Sequence, residues 1–306
     1  MILVAGLSPA WQQILRFEHL RPGAVNRAGE VHQCASGKVL NVGVALAQLG
    51  ANCETISVAG GWASGPLQRD FAAAGGVGHW ITTAAATRIC TTLLDDSSGQ
   101  TTELVENAPA LSTAELAEFR RVYAQLVTAA DMVVLTGSLP AAAQDSFYRD
   151  LLRETRASAM LDVRGAELSC ALECRPLLVK PNREELAATL GRPLERDADL
   201  HAAMEELHGR GAAWVLVTDG PRAAWIYSAE GRFRAMPPIV ASLNPVGSGD
   251  CLTAGIAWAI ASGKPMLEAI RVGIAATADN AAQLLPARID VARVQHLLDE
   301  VQLERV

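Results

Sequence analysis

The sequence predicts an α/β protein built on a mainly parallel sheet with helices on both faces. Short apolar runs alternate with longer helical patterns through most of the 306 residues, as crossover connections between parallel strands require. Half of the residues are hydrophobic and only 19% are charged, which supplies a large core and leaves little to disorder. The length suits one large α/β domain, with or without a small appendage.

The buried strands are read at "ILVAGL" (2–7), "ETISVA" (54–59), "MVVLTG" (132–137), "AMLDV" (159–163), "LLVK" (177–180) and "WVLVTDG" (214–220). Helices are expected over 38–50, 64–75, 113–129, 142–156, 183–190 and 199–211, and then over 250–262, 266–284 and 290–304. Two stretches break the alternation. Segments 12–34 and 87–107 are strand-like, the second hinged at "DDSSGQ", and neither carries a helix signal. They predict a small inserted sheet that serves as a lid or a dimer contact. Ligands in such folds bind outside the carboxyl ends of the strands.

Composition excludes several classes of protein. The net charge is −7 and no run of Lys and Arg occurs, which argues against nucleic acid and anionic membrane as partners. Apolar stretches fall well short of the ~20 residues that span a bilayer. "MILVAGLSPA" lacks a basic start and reads as a first strand rather than a signal peptide. The six cysteines form no CxxC pair and read as reduced, mostly buried thiols, so a cytoplasmic setting is expected. No histidine is spaced with a Ser or Cys as a hydrolytic triad demands. No GxGxxG follows the first strand, as a dinucleotide-binding dehydrogenase would need.

Four motifs carry chemistry. In "NPVGSGDCLTAGIAWAI" (244–260), Gly247 and Gly249 bracket Ser248, just where helical spacing begins at Cys251. Bare backbone at a helix start seats a phosphate, because the first N–H groups have no partner within the helix. Asp250 is then either a neighbour of that anion or a helix cap. In "CASGKVLNVG", Lys38 and Asn41 lie one turn apart at a helix start, where they grip a substrate or simply face solvent. This is not a Walker A loop, since His32 stands where its first glycine belongs. In "VKPNREE", Asn182 and Glu185 follow a strand end, a pair that suits either a hydrated Mg²⁺ or a capping box. Thr218, Asp219 and Gly220 follow another strand and form either a nucleotide edge or a hairpin turn. Arg27 and Arg88 lie in the two lid-like segments, where forked phosphate recognition is open to them.

The order "SGKVLN", "VAGGWASG", "TGSLP", "VKPNREE", "VTDG" and "NPVGSGDCLTAG" resembles the ribokinase/PfkB family of carbohydrate kinases nearly end to end. It is most similar to the branch with 1-phosphofructokinase and tagatose-6-phosphate kinase. The resemblance implies a three-layer α/β/α ribokinase-like domain over 1–306, with lid segments at about 12–34 and 87–107 that often pair in a homodimer. It implies ATP and Mg²⁺, with Asp250 as general base and Gly247, Ser248 and Gly249 offering N–H groups to the transferring phosphoryl group. It assigns Asn182 and Glu185 to Mg²⁺, and Thr218, Gly220 and Asn280 to the ATP pocket. Arg27, Lys38 and Arg88 match positions that hold the phosphate already on the substrate, with Gly37, Asn41 and Ser138 close by.

The departures from the family pattern concern the sugar. "SPAWQ" stands where the branch has Asn-Pro-Ala-x-Asp, so Ser8 replaces Asn and Gln12 replaces the hydroxyl-binding Asp. Ser36 and Val39 replace glycines, and Val39 is expected to add bulk where the sugar ring lies. The leading expectation is a kinase for a ketohexose phosphate. The alternatives are a kinase for an unphosphorylated sugar or nucleoside and a catalytically weak sugar-phosphate-binding relative.

Overall fold

A computed structural model describes residues 1–306. Its strands are β1 (Ile2–Ala5), β2 (Ala10–Phe17), β3 (Glu30–Ser36), β4 (Cys53–Gly60), β5 (Gly78–Thr83), β6 (Arg88–Asp95) and β7 (Gln100–Val105), and then β8 (Met132–Thr136), β9 (Ser158–Asp162), β10 (Leu178–Val179), β11 (Trp214–Val217), β12 (Ala224–Ser228), β13 (Gly231–Met236) and β14 (Gln302–Arg305). The helices are α1 (Lys38–Gln48), α2 (Ser64–Ala73), α3 (Thr113–Leu126), α4 (Phe147–Arg153) and α5 (Gly165–Ala171), followed by α6 (Arg183–Leu190), α7 (Asp197–Gly209), α8 (Ser248–Ala261), α9 (Met266–Ala281) and α10 (Val291–Leu298).

Ten strands form one sheet in the order β14-β13-β12-β11-β10-β9-β8-β1-β4-β5, parallel from β5 to β11 and antiparallel beyond. Along β1, Ile2 and Val4 point into one core while Leu3 and Ala5 point into the other. This is the period-two alternation of a strand buried on both faces. Helices α1, α2, α8, α9 and α10 close the first core, and α3 to α7 close the second. The architecture is the three-layer α/β/α arrangement the alternation predicts. No helix is long and apolar enough to cross a membrane.

The second sheet has four strands in the order β3-β2-β6-β7 and is made from the two segments that break the alternation. It encloses only a small cluster of Ile14, Cys34 and Leu94. Outward it exposes Val31 and Leu104, while Val105 faces the cleft and Val25 stands free in the β2–β3 loop.

The structure moves several boundaries. The helix expected over 142–156 is shortened to Phe147–Arg153, because Ala142 sits at φ +72°, which no right-handed helix passes through. The helix expected over 290–304 ends at Leu298, and the chain then adds β14 to the sheet edge against β13. Strands β5, β12, β13 and helix α5 were not anticipated. All six cysteines are free thiols, four of them buried.

Candidate active site

Chain order reverses at β1, which sends β4 and β5 to one side and β8 to β11 to the other. Open sheets bind ligands at such switch points. Here the strand ends and the small sheet enclose a cleft of about 550 Å³. Its lining brings together Gln12, Gly37, Lys38, Asn41, Arg88, Ser138, Asn182, Glu185, Thr218, Gly220 and the segment Gly247–Asp250.

The Gly-Ser-Gly-Asp segment begins α8. Gly247 caps the helix at φ +83°, and a Cβ there would stand 3.0 Å from the Pro286 side chain, so only glycine fits. The amides of Gly247 and Gly249 make no hydrogen bond within the protein, whereas the Ser248 amide donates to Pro245 O at 3.1 Å. Two free donors thus face the cleft at a helix N-terminus. Asn280, on α9, braces this loop from behind. Its Nδ2 donates to Val246 O at 2.9 Å and to Ser248 Oγ at 3.0 Å, and its Oδ1 accepts from the Ala287 amide at 2.7 Å. Asn280 is fully buried and does not line the cleft. Asp250 makes no capping bond. Its Oδ2 accepts instead from Asn41 Nδ2 at 2.7 Å, across the gap between α8 and α1.

Charges alternate across the floor of the cleft. Asp162, at the end of β9, is buried between Lys38 Nζ (2.9 Å) and Lys180 Nζ (3.1 Å), and Thr253 Oγ1 donates to it at 3.2 Å. Burial disfavours its charge, but Lys180 and Lys38 outweigh burial and hold the carboxyl below the usual carboxylate range. Lys38 also reaches Glu185 Oε1 at 3.3 Å. Burial works against its charge as well, and Asp162, Glu185 and Asp250 together lift it above an ordinary lysine. Asp250 moves the other way. Burial and then the charge of Asp162 push its carboxyl up to about 7, against the opposing pull of Lys38, Asn41 and Lys180.

Asn182 and Glu185 form the capping box of α6. The Glu185 amide donates to Asn182 Oδ1 at 2.7 Å, and the Asn182 amide donates to Glu185 Oε2 at 3.0 Å. Glu185 nevertheless lines the cleft. No three His, Cys, Asp or Glu side chains gather as a metal cage. Mg²⁺ keeps most of its own waters and needs few protein ligands, so Glu185 at the strand ends suits it without a cage. Asn182 bridges to Thr218, which sets the end of β11 beside it.

The residues expected to face the sugar divide. Gln12 is buried, and its Nε2 donates to Thr92 Oγ1 at 2.8 Å and to Gln13 O at 3.3 Å. Arg88 is anchored to backbone: Nη2 donates to Ser8 O (2.9 Å), Nη1 to Glu106 O (3.0 Å) and Nε to Pro9 O (3.3 Å). Two of its five N–H groups stay uncommitted. Arg27 does not join the cleft. It stands exposed in the loop beyond Arg16 and Glu30, six strand residues from the Ala10–Ser36 pair at the cleft, about 20 Å along the strands. Arg27, Lys38 and Arg88 therefore do not converge on one anion within this chain. Val39 also departs from expectation. It is fully buried against Gly6, where an added Cβ would stand 3.0 Å from its own, so its bulk enters the core and not the sugar pocket.

Sequence reasoning passed over Asp162 and Lys180, the charges at the centre of the floor. A signal was present: each is the one charge that ends an apolar strand, and buried charges are rarely idle.

A family model for pfkB family carbohydrate kinases matches residues 7–283. A 1-phosphofructokinase from Xanthomonas campestris pv. campestris is 34% identical over 269 residues, covering 86% of this chain and 85% of that one. A Thermotoga maritima structure described as a possible 1-phosphofructokinase superposes with TM-score 0.91 at 20% identity over the full length of both chains. The tetrameric inhibited form of phosphofructokinase-2 from Escherichia coli superposes with TM-score 0.87 at 25% identity over 98% of each chain. The fold, the cleft and these matches define a phosphotransferase with an alcohol acceptor. The chain belongs to the pfkB family of carbohydrate kinases.

Proposed function

We propose that this kinase transfers the γ-phosphoryl group of ATP to a hydroxyl of a sugar phosphate of the fructose 1-phosphate, fructose 6-phosphate or tagatose 6-phosphate class. One observation carries the reading: a buried carboxyl, Asp250, stands beside the free amides of Gly247 and Gly249 at a helix N-terminus. Phosphoryl transfer depends on positioning and on stabilising charge on the moving group. Asp250 accepts the proton from the acceptor hydroxyl, while the two amides face the phosphoryl oxygens. Thr218 and Gly220 edge the nucleotide side, and Asn280 acts there by bracing the loop. Glu185 and Asn182 would hold hydrated Mg²⁺, which would offset phosphate charge. Gln12, Ser138, Asn41 and the backbone at Gly37 take the sugar, and Arg88 takes its phosphate. Paired lids would cover Val31 and Leu104 in a homodimer, and the compartment is the cytoplasm.

Asp250→Asn tests the reading. It should leave sugar-phosphate binding largely intact and cut kcat roughly 10²–10⁴-fold, since an amide cannot take the proton. Turnover near wild type would remove Asp250 from the mechanism.

A second reading, a kinase for an unphosphorylated sugar or nucleoside, draws on one observation. Arg27 lies outside the cleft and Lys38 is committed to two acids, so of the three cations expected to hold a substrate phosphate only Arg88 keeps free N–H groups in the cleft.

A further inference from the structure

Asn41 is held from two sides. Its Nδ2 donates to Asp250 Oδ2 at 2.7 Å, and its Oδ1 accepts from Ser36 Oγ at 3.0 Å. All three residues are buried. Ser36 is the last residue of β3 in the small sheet, Asn41 is on α1, and Asp250 is on α8. A single chain of hydrogen bonds therefore runs from the small sheet to the carboxyl. Where the family pattern has glycine at position 36, this chain has a hydroxyl, and glycine could not make the first link.

We propose that Ser36 is a positioning residue for Asp250, acting through the Asn41 amide and tying the seating of the small sheet to the alignment of the base. The proposal rests on Asp250 being the base, as argued above. An amide can present either its oxygen or its NH₂ to a carboxylate, and only the NH₂ is attractive. With Ser36 donating to Oδ1, the NH₂ points at Asp250. Hydrogen bonds in such a chain also strengthen one another. Without the hydroxyl, Oδ1 loses its partner in a buried place and the amide is free to turn. The other charged groups facing Asp250 are Lys38 on α1, Asp162 at the end of β9 and Lys180 beyond β10, with the Cys251 thiol next to it on α8. None of them changes when Ser36 is altered.

The test compares wild type, Ser36→Ala, Ser36→Gly, Asn41→Ala and the Ser36→Ala/Asn41→Ala double variant. Folding is checked by thermal unfolding. Carboxyl ¹³C NMR titration of Asp250 in the free protein needs no turnover. We expect Ser36→Ala and Ser36→Gly to titrate Asp250 at higher pH than wild type, and kcat to fall roughly three- to tenfold at unchanged KM, the range for one buried hydrogen bond. In the Asn41→Ala background, Ser36→Ala should add nothing further. An unmoved Asp250 titration in folded Ser36→Ala overturns the proposal whether or not the enzyme turns over the sugars offered. So does an equal effect of Ser36→Ala with and without Asn41. If instead wild type phosphorylates no sugar while the titration shifts as expected, the proposed function fails and the Ser36 link stands.

Discussion

The amino end of α8 and the carboxyl end of β9 each bury an aspartate in the same cleft, and the two carboxyls behave in opposite ways. Asp162 has Lys38 and Lys180 within 3.1 Å and stays anionic below the usual carboxylate range. Asp250 has one amide at hydrogen-bond distance, and its burial together with the negative charge of Asp162 pushes its carboxyl up to about 7. One residue type thus serves as a fixed countercharge and, in the proposed mechanism, as an acceptor poised near neutrality. Environment, not identity, sets the role.

The largest effect is expected from breaking the Asp162 side. Lys180→Ala removes one of the two lysines paired with buried Asp162 and leaves Lys38 as its remaining cation, which costs about 1.5–3 kcal/mol, the worth of a charge-assisted hydrogen bond. Denaturant unfolding of the variant reads this directly, and a loss under 1 kcal/mol would mean that Lys180 does not hold Asp162.

The Asp250 side is sharpened by pH. A base titrating at about 7 should make kcat/KM fall tenfold per pH unit below that value. Stability follows the same group. The folded carboxyl binds its proton more tightly than the unfolded one, so its contribution falls as pH rises from the ordinary aspartate range to about 7 and is level beyond. Asp250→Asn should therefore raise Tm above pH 7 by about 2–4 °C, as roughly 1 kcal/mol does in a chain of this size, and should have no such effect near pH 3. Equal Tm gains at both pH values would place the effect outside this carboxyl.

The comparison also marks what could be read in the sequence. The glycines and Asp250 were legible because backbone chemistry at a helix start leaves a local trace in Gly-Ser-Gly-Asp. Seven parallel strands and two helix layers were largely legible because burial on both faces writes continuous apolar runs. Asp162 and Lys180 were not picked out, because what makes them a site is that β9 and β10 are neighbours, a fact of topology. Val39 was misread for the same reason: its partner Gly6 is distant in sequence. Arg27 is set outside this chain's own cleft by the length of β2 and β3, which no local pattern shows. Strand β14 looked helical because an edge strand of four mostly exposed residues has no buried face to show.

The central claim is a kinase for a phosphorylated sugar, and the most direct measurement is ATP- and Mg²⁺-dependent turnover. The panel is fructose 1-phosphate, fructose 6-phosphate, tagatose 6-phosphate, the free sugars and nucleosides. We predict that one ketose phosphate is turned over with kcat/KM above its free sugar by about 10- to 100-fold, the worth of charge-assisted bonds to the phosphate. Turnover of an unphosphorylated compound alone would contradict the phosphate site, and binding of a sugar phosphate without any turnover would contradict the kinase.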